Sequence, residues 1–345
     1  VSGAAGADTL TLTGALSTAM AVDLAAGADK LTLANVANTG TLKNVETITG
    51  GTGADTITLG AAASAASIDL AAGADTLTFG NFANTATLAG IETIAGGTAA
   101  DTVTLAAALS TAMAVDLAAG ADQLTLSGVA NTGTLSGVET LIGGSAADTI
   151  TLASAASAAS IDLAAGSDTI TLGNFANTAT IANAETLTGG TAADTITLAS
   201  ALSTAMAVDL AAGANKLSLA NLANTGTVTN VASLIGGSAA DTVTLANAVT
   251  NASVDLAAGS DKLSLANGTN SLSAANVETI AGGTGADTVT LSAAASAASI
   301  DLAAGNDTLS FGNFANAATL AGIETVTGGT AADTVTLTGA LSTAM

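Results

Sequence analysis

The residues of this chain best suited to chemistry are aspartates that recur at fixed intervals. Each closes a short segment rich in glycine and alanine and precedes a threonine-rich stretch, as in Gly53-Ala54-Asp55 and Gly73-Ala74-Asp75. The fifteen positions of this type are Asp8, Asp29, Asp55, Asp75, Asp101, Asp122, Asp148, Asp168, Asp194, Asn215, Asp241, Asp261, Asp287, Asp307 and Asp333. Oxygen-rich turns with free backbone carbonyls suit calcium, a hard cation that takes six to eight oxygen ligands. The pattern predicts a column of carboxylates that needs a counter-charge.

The intervals between these positions predict a stack of similar coils. A short interval, as from Asp55 to Asp75, alternates with a longer one, as from Asp75 to Asp101, so that pairs of intervals form units of 46 or 47 residues. Such internal periodicity is typical of solenoids, in which each coil contacts its neighbours alone. We therefore predict an all-β, right-handed parallel β-solenoid of about 15 coils, two to a unit, continuous over residues 1–345. Because the ALSTAM motif at 340–345 breaks off within a unit, we expect an internal segment of a longer repeat protein.

Short alternating segments provide the strands of the predicted solenoid. In Asp55-Thr56-Ile57-Thr58-Leu59 the apolar side chains point one way and the threonines the other, as in a half-buried strand. Trp and Tyr are absent and Phe occurs five times, so the core is predicted to be thin and filled by aliphatic side chains. Asparagines that recur at one corner are expected to stack as a hydrogen-bonded ladder. They are Asn38, Asn84, Asn131, Asn177, Asn224 and Asn316.

The charge balance restricts the classes of partner. Acidic residues outnumber basic ones 27 to 4, giving a formal net charge of −23. This argues against nucleic acids and anionic membrane surfaces, which require basic contacts, and favours cations. The chain has no cysteine, which excludes disulfides and thiol chemistry. No apolar run approaches the ~18 residues of a membrane span, so no membrane insertion is expected.

Two further columns of acidic residues accompany the aspartates that open the units. One lies within strands and comprises Asp23, Asp69, Asp116, Asp162, Asp209, Asp255 and Asp301. The other comprises Glu46, Glu92, Glu139, Glu185, Glu278 and Glu324, with Ala232 at the one missing position. Both columns are expected to form a solvated face, because exposed carboxylates need no partner.

Two segments carry a motif that resembles a known repeat. Residues 50–58 (GGTGADTIT) and 282–290 (GGTGADTVT) fit the nonapeptide GGxGxDxUx of RTX (repeat-in-toxin) calcium-binding β-rolls. The other turns of this type have alanine at the third glycine, as in 96–101 (GGTAAD). The resemblance implies secretion and calcium held between adjacent coils by aspartates and turn carbonyls. RTX rolls have about 18 residues per coil and a nonapeptide at each half-turn, whereas the coils predicted above, such as 55–74 and 75–100, are longer.

The resemblance makes the turn aspartates candidate calcium ligands. The candidates are Asp55, Asp75, Asp101, Asp122, Asp148, Asp168, Asp194, Asp241, Asp261, Asp287 and Asp307. A second interpretation explains the same residues, since aspartate also caps turns by accepting hydrogen bonds from backbone N–H groups. That interpretation accounts for Asn215, and the sequence leaves both open.

Uniform coils favour a structural function outside the cell. Acidic, cysteine-free repeats rich in Thr, Ala and Gly resemble those of bacterial surface-layer and adhesin proteins. We therefore expect a bacterial extracellular or cell-surface segment that assembles with copies of itself, with flanking repeats or with a surface matrix. An enzyme is not expected, because His, Arg, Tyr and Trp are absent and no acidic cluster is unique to one coil.

Binding to ice or another crystal surface is the alternative. Outward Thr-x-Thr pairs in a flat array would resemble the faces of solenoid antifreeze proteins. The pairs are Thr56/Thr58, Thr102/Thr104, Thr149/Thr151, Thr195/Thr197, Thr242/Thr244 and Thr288/Thr290. Intervening segments carry Lys30, Gln123, Lys216 or Lys262 at the first position, which would interrupt the array.

Overall fold

The computed structural model describes residues 1–338 and divides the chain into two compact units, Val1–Thr171 and Leu172–Met345. Both units are built from short parallel strands and turns, and no helix occurs within residues 1–338. The predicted all-β parallel solenoid is confirmed. The ALSTAM motif at 340–345 lies outside the described residues.

The first unit contains two parallel sheets, one of odd-numbered and one of even-numbered strands. Its strands are β1 Thr9–Thr11, β2 Ala21–Asp23, β3 Lys30–Thr32, β4 Thr39–Lys43, β5 Thr47–Thr49, β6 Thr56–Leu59, β7 Ala66–Asp69, β8 Thr76–Thr78, β9 Thr85–Ala89, β10 Thr93–Ala95, β11 Thr102–Leu105, β12 Ala114–Asp116, β13 Gln123–Thr125, β14 Thr132–Ser136, β15 Thr140–Ile142, β16 Thr149–Leu152, β17 Ser157–Asp162 and β18 Thr169–Thr171.

The second unit repeats this arrangement of two sheets. Its strands are β19 Thr178–Ala182, β20 Thr186–Thr188, β21 Thr195–Leu198, β22 Ala207–Asp209, β23 Lys216–Ser218, β24 Thr225–Thr229, β25 Ser233–Ile235, β26 Thr242–Leu245, β27 Ala252–Asp255, β28 Lys262–Ser264, β29 Ser271–Ala275, β30 Thr279–Ala281, β31 Thr288–Leu291, β32 Ala298–Asp301, β33 Thr308–Ser310, β34 Ala317–Ala321, β35 Thr325–Thr327 and β36 Thr334–Leu337.

The register of the strands corrects the predicted length of the coils. Thr56 pairs with Thr39 on the preceding coil and with Thr76 on the next. Hydrogen bonds between equivalent positions of adjacent coils span 17, 20 or 21 residues, and each coil has two strands and two turns, which is close to the RTX pattern. The predicted unit 55–100 holds the five strands β6 to β10, which is two and a half coils rather than two. Successive repeats of 46 or 47 residues consequently begin on opposite sheets.

In both units the core consists of buried aliphatic side chains, which strands β2 to β34 contribute. Ile57 pairs with Leu77, Leu77 pairs with Ile94, and all three are buried. Burial of a side chain of this size contributes roughly 1.5–3 kcal/mol, and each coil buries its apolar edge on the next. This repeated burial explains how a chain without Trp or Tyr builds its core mainly from aliphatic side chains, with Phe79 and Phe311 also buried.

The threonine pairs do not form one flat face, contrary to the array proposed from the sequence. Thr56 and Thr58 lie on β6 of the even-numbered sheet, whereas Thr102 and Thr104 lie on β11 of the odd-numbered sheet. Within each sheet the array is interrupted as expected, because Gln123 pairs directly with Thr102. In the second unit the pairs also alternate between sheets, and Lys216 pairs directly with Thr195.

Candidate metal centre

The residue directly before each strand defines a column of polar side chains along the edge of a sheet. Asn38 precedes β4, Asp55 precedes β6, Asp75 precedes β8 and Glu92 precedes β10, so these four residues lie on successive coils of one edge. We call such a series of Asn, first Asp, second Asp and Glu a polar ladder, and each of its members a rung.

Hydrogen bonds run along the ladder from coil to coil. The Asp55 Oδ1 atom accepts bonds from the backbone N of Asn38 at 2.9 Å and from its Nδ2 at 2.8 Å. The Asp55 N–H donates to Asp75 Oδ1 at 2.6 Å, and the Asp75 N–H donates to Glu92 Oε2 at 2.8 Å. Each side chain thus accepts an N–H of the preceding coil. This supports the capping interpretation, with the donor one coil away rather than in the same turn.

The same ladder recurs in both units. Complete copies are Asn38–Asp55–Asp75–Glu92, Asn84–Asp101–Asp122–Glu139, Asn224–Asp241–Asp261–Glu278 and Asn270–Asp287–Asp307–Glu324. The same pattern of hydrogen bonds also runs along Asp8–Asp29–Glu46, Asn131–Asp148–Asp168, Asn177–Asp194–Asn215 and Asn316–Asp333.

These ladders correct three predictions from the sequence. The aspartates do not share one edge, because those of successive 46- or 47-residue repeats precede even- and odd-numbered strands in turn. The asparagines do not stack on one another, since each donates to the first aspartate of its own ladder, as Asn84 does to Asp101 at 2.8 Å. The glutamates are not a solvated face, because they are half-buried and accept a backbone N–H, as Glu92 does.

Sequence reasoning missed one member of the ladders, Asn270. Its Nδ2 donates to Asp287 Oδ1 at 2.8 Å, as in the other ladders. The divergent segment ANGTNSLS around it obscured the match. The interval to its aspartate was a usable signal, because Asn270 precedes Asp287 by 17 residues, the same interval that separates Asn38 from Asp55.

The first aspartate of a ladder is well supplied with donors. Its Oδ1 accepts two bonds from the asparagine, and its Oδ2 faces the N–H of the second glycine in its own turn. Asp148 Oδ2 accepts from Gly144 N at 3.1 Å, and Asp241 Oδ2 accepts from Gly237 N at 3.0 Å. In Asp55 and Asp101 the Oδ2 atom is buried without a hydrogen-bond donor. The first aspartates thus act mainly as hydrogen-bond acceptors within the fold.

The second aspartate leaves one buried oxygen without a donor. The members with this property are Asp29, Asp75, Asp122, Asp261 and Asp307. Their Oδ1 atoms accept the N–H of the first aspartate, but no protein group donates to Oδ2. Burial raises the pKa of Asp75, and the nearby carboxylates of Asp55 and Glu92 raise it further, against the Asp55 N–H bond that lowers it. The pKa values of Asp122, Asp261 and Asp307 are raised for the same reasons.

Asn215 reveals the surroundings of that oxygen, because it occupies the position of a second aspartate. The Asp194 N–H donates to Asn215 Oδ1 at 2.9 Å, which fixes the orientation of the amide. The Nδ2 atom donates to three backbone carbonyls, those of Leu210 at 2.9 Å, Ala211 at 3.3 Å and Asn230 at 3.0 Å. In the ladders with a second aspartate, the equivalent side chain is a carboxylate, which has no N–H to donate to such carbonyls.

The donor set of the second aspartate fits a hard cation. No group of three or more acidic side chains converges on one point in the part of the chain described. The ligands of a cation would therefore be one carboxylate oxygen and backbone carbonyls, a combination that calcium accepts. Gly73 lies against this position, since a Cβ atom there would be 2.7 Å from both Asp75 Oδ1 and the Gly53 carbonyl oxygen. The turn before the second aspartate thus requires a glycine.

The acids within strands are directed to solvent, as predicted, but they do not form one face, because Asp23 lies on β2 of the even-numbered sheet and Asp69 on β7 of the odd-numbered sheet. Asp69, Asp116, Asp162, Asp209 and Asp301 are exposed, and Asp23 and Asp255 are half-buried. Asp23 Oδ1 accepts from Asn44 Nδ2 at 2.7 Å and from Ala25 N at 3.1 Å. The Asn44 bond is the main cause that holds the pKa of Asp23 below its usual value. These carboxylates fix a local turn and need no cation.

Comparison with known proteins supports a calcium-binding repeat. The profile of the RTX calcium-binding nonapeptide repeat (4 copies) matches residues 44–63 and 274–294. These segments contain the two complete nonapeptides, 50–58 and 282–290. The resemblance found in the sequence is therefore confirmed there. No curated protein and no solved structure matches the chain significantly. Within the part of the chain described, no helix is long and apolar enough to span a membrane.

Proposed function

We propose that this chain is an extracellular structural segment, of the surface-layer, filament or adhesin-stalk kind, whose coils are stabilised by calcium. The observation that carries the proposal is the repetition of one ladder, with the same hydrogen bonds, in both units. A binding or catalytic site normally breaks the symmetry of a repeat. An elongated structural segment keeps it, because each coil contacts its neighbours in the same way. The RTX resemblance supports secretion and calcium.

Exposed apolar side chains at the corners support self-assembly. One such residue recurs once in each repeat unit through most of the chain, at Val36, Phe82, Val129, Phe175, Leu222 and Phe314. Val129 is 56% exposed and Phe82 is 44% exposed. Val36 and Val129 follow odd-numbered strands, whereas Phe82 and Phe175 follow even-numbered strands. Each series would offer repeated apolar contacts to a second copy or to flanking repeats.

Calcium dependence is tested by circular dichroism and thermal melting. With calcium, we expect a stronger β-sheet signal and a melting temperature higher than in EDTA, because a ligand that binds the folded state stabilises it. An unchanged melting temperature would contradict the calcium part of the proposal. It would leave the aspartates as hydrogen-bond acceptors alone.

Assembly is tested by sedimentation and electron microscopy of the calcium-loaded protein. We expect lateral or end-to-end assemblies that weaken when Phe82 and Val129 are both replaced by serine. Replacement of the exposed Thr56 and Thr102 by serine is the matched control and should leave assembly unchanged. A strictly monomeric protein at high concentration would contradict the assembly part of the proposal.

A further inference from the structure

The second aspartate has a buried carboxylate oxygen without a donor, at the position where Asn215 contacts three backbone carbonyls in its own ladder. Asp75 is fully buried, and its Oδ2 atom has no hydrogen-bond partner. The residues that correspond to Leu210, Ala211 and Asn230 are Leu70, Ala71 and Gly90, and no N–H among residues 1–338 donates to their carbonyl oxygens. Acceptors that face one another away from water are unfavourable, because each has lost solvent without gaining a partner.

In one ladder a side chain of the protein itself supplies the missing hydrogen-bond donor. At Asn215 the amide nitrogen replaces the carboxylate oxygen and donates to all three carbonyls. The next rung changes as well, since Ala232 stands where the other ladders have glutamate. The two changes together remove two negative charges, which equals the charge of one divalent cation. If the second aspartates of the other ladders were protonated, asparagine at position 215 would be an equivalent donor. Protonation would give no reason for the absence of the neighbouring glutamate at position 232.

We propose that each second aspartate with an adjacent glutamate binds one calcium ion through Oδ2 and the facing carbonyls, and that the Asn215–Ala232 rungs bind none. The proposed sites are those of Asp29, Asp75, Asp122, Asp261 and Asp307. The amide of Asn215 is a built-in substitute for the ion. This inference rests on the calcium part of the proposed function and assigns the ion to particular rungs.

The assignment departs from the turn that carries the nonapeptide motif. In that motif the conserved carboxylate is the first aspartate, as in Asp55. Its Oδ1 already accepts two bonds from Asn38, and in Asp148 and Asp241 the second oxygen also has a donor. The second aspartate follows an LAAGAD or similar turn outside the motif. The Oδ2 atoms of Asp55 and Asp101 are also buried without a donor, so the feature that distinguishes the second position is the set of three carbonyls that the Asn215 amide contacts there.

The test exchanges the two kinds of rung in the full chain. The first variant combines Asn215→Asp with Ala232→Glu, and the second combines Asp75→Asn with Glu92→Ala. Equilibrium dialysis against calcium followed by metal analysis gives the number of ions bound per chain. We expect one ion more than in the parent for the first variant and one fewer for the second. Asp241→Asn, which changes a first aspartate, is the matched control and should leave the number unchanged.

The outcomes separate this inference from the proposed function. If the parent binds no calcium, both are overturned. If the parent binds calcium but the exchanged variants keep its number of ions while Asp241→Asn loses one, the inference is overturned and the proposed function stands. If the second variant melts at a higher temperature in EDTA but binds as many ions as the parent, the position needs a donor rather than a cation, which also overturns the inference. The gain variant covers the case in which the loss variant does not fold.

Discussion

The Asp75 and Asn215 rungs occupy equivalent positions of the ladder and differ in the side-chain group, which is a carboxylate in one and an amide in the other. In both, the side chain accepts the N–H of a first aspartate, from Asp55 or from Asp194. In both, the strand that follows contains a fully buried leucine. The amide of Asn215 supplies donors to the turn carbonyls, whereas the carboxylate of Asp75 has no N–H to donate and its Oδ2 atom is buried without a donor. The comparison teaches that the proposed dependence on calcium would be set rung by rung, while the solenoid itself has an apolar core at both rungs.

Removal of calcium should produce the largest difference between the two rungs. A ligand at 100 times its dissociation constant stabilises the state that binds it by about 2.7 kcal/mol, which corresponds to about 100-fold slower local opening. We expect hydrogen exchange in EDTA to accelerate by that factor in peptides covering 70–92. Peptides covering 210–232 should change much less. Equal acceleration in both regions would contradict a rung-specific effect.

Truncation of the core should affect both rungs equally. Leu77 packs in register between Ile57 and Ile94, and Leu217 lies in register between Ile196 and Leu234. Both leucines are 0% exposed. We expect Leu77→Ala and Leu217→Ala each to lower the free energy of unfolding by about 2–5 kcal/mol, as measured by chemical denaturation in calcium. A much smaller loss at one position would show that the two rungs do not share the same core.

Removal of the amide should destabilise the Asn215 rung whether or not calcium is present. Asn215→Ala leaves the Asp194 N–H without its acceptor and three carbonyls without their donor. Buried unpaired groups cost about 1–3 kcal/mol, and we expect a loss of that size in denaturation experiments. Asn215→Asp combined with Ala232→Glu is the informative comparison, because it should be more destabilising in EDTA than in calcium. If calcium fails to rescue that variant, the carbonyls do not attract cations.

Relief of backbone strain should have the smallest effect, and an equal one at both rungs. Ala71 has φ of 67° and Ala211 has φ of 55°, which is the left-handed region that favours glycine. Because strain and glycine entropy partly cancel, we expect Ala71→Gly and Ala211→Gly to stabilise the protein by about 0.5–1 kcal/mol. A rise in melting temperature is the measurement, and a clear fall in both variants would show that the alanine methyl groups contribute packing that offsets the strain.

The sequence was sufficient for the architecture because its periodicity is strong. Alternation in segments such as Thr56–Leu59 predicted the strands, and the regular aspartates predicted a solenoid. The coil length was wrong, because the intervals between aspartates do not reveal that β7 and β9 lie on the other sheet. Pairing of strands, which is a long-range property, decides this point.

The candidate site was predictable in its residues but not in its geometry. The sequence identified Asp75 and the substitution at Asn215, and it left calcium binding and capping as equal explanations. Two facts that distinguish the rungs depend on the backbone. The donor to each carboxylate comes from the preceding coil, and the carbonyls of Leu210, Ala211 and Asn230 converge on one side-chain atom. Neither follows from local propensity, because residues far apart in sequence provide them.

The most direct test of the account is X-ray diffraction from calcium-loaded crystals, with anomalous difference maps recorded at a long wavelength. We predict calcium peaks beside the Oδ2 atoms of Asp29, Asp75, Asp122, Asp261 and Asp307, and no peak beside Asn215. Peaks confined to the first aspartates, such as Asp55 and Asp241, would contradict it, and so would a peak at the Asn215 rung.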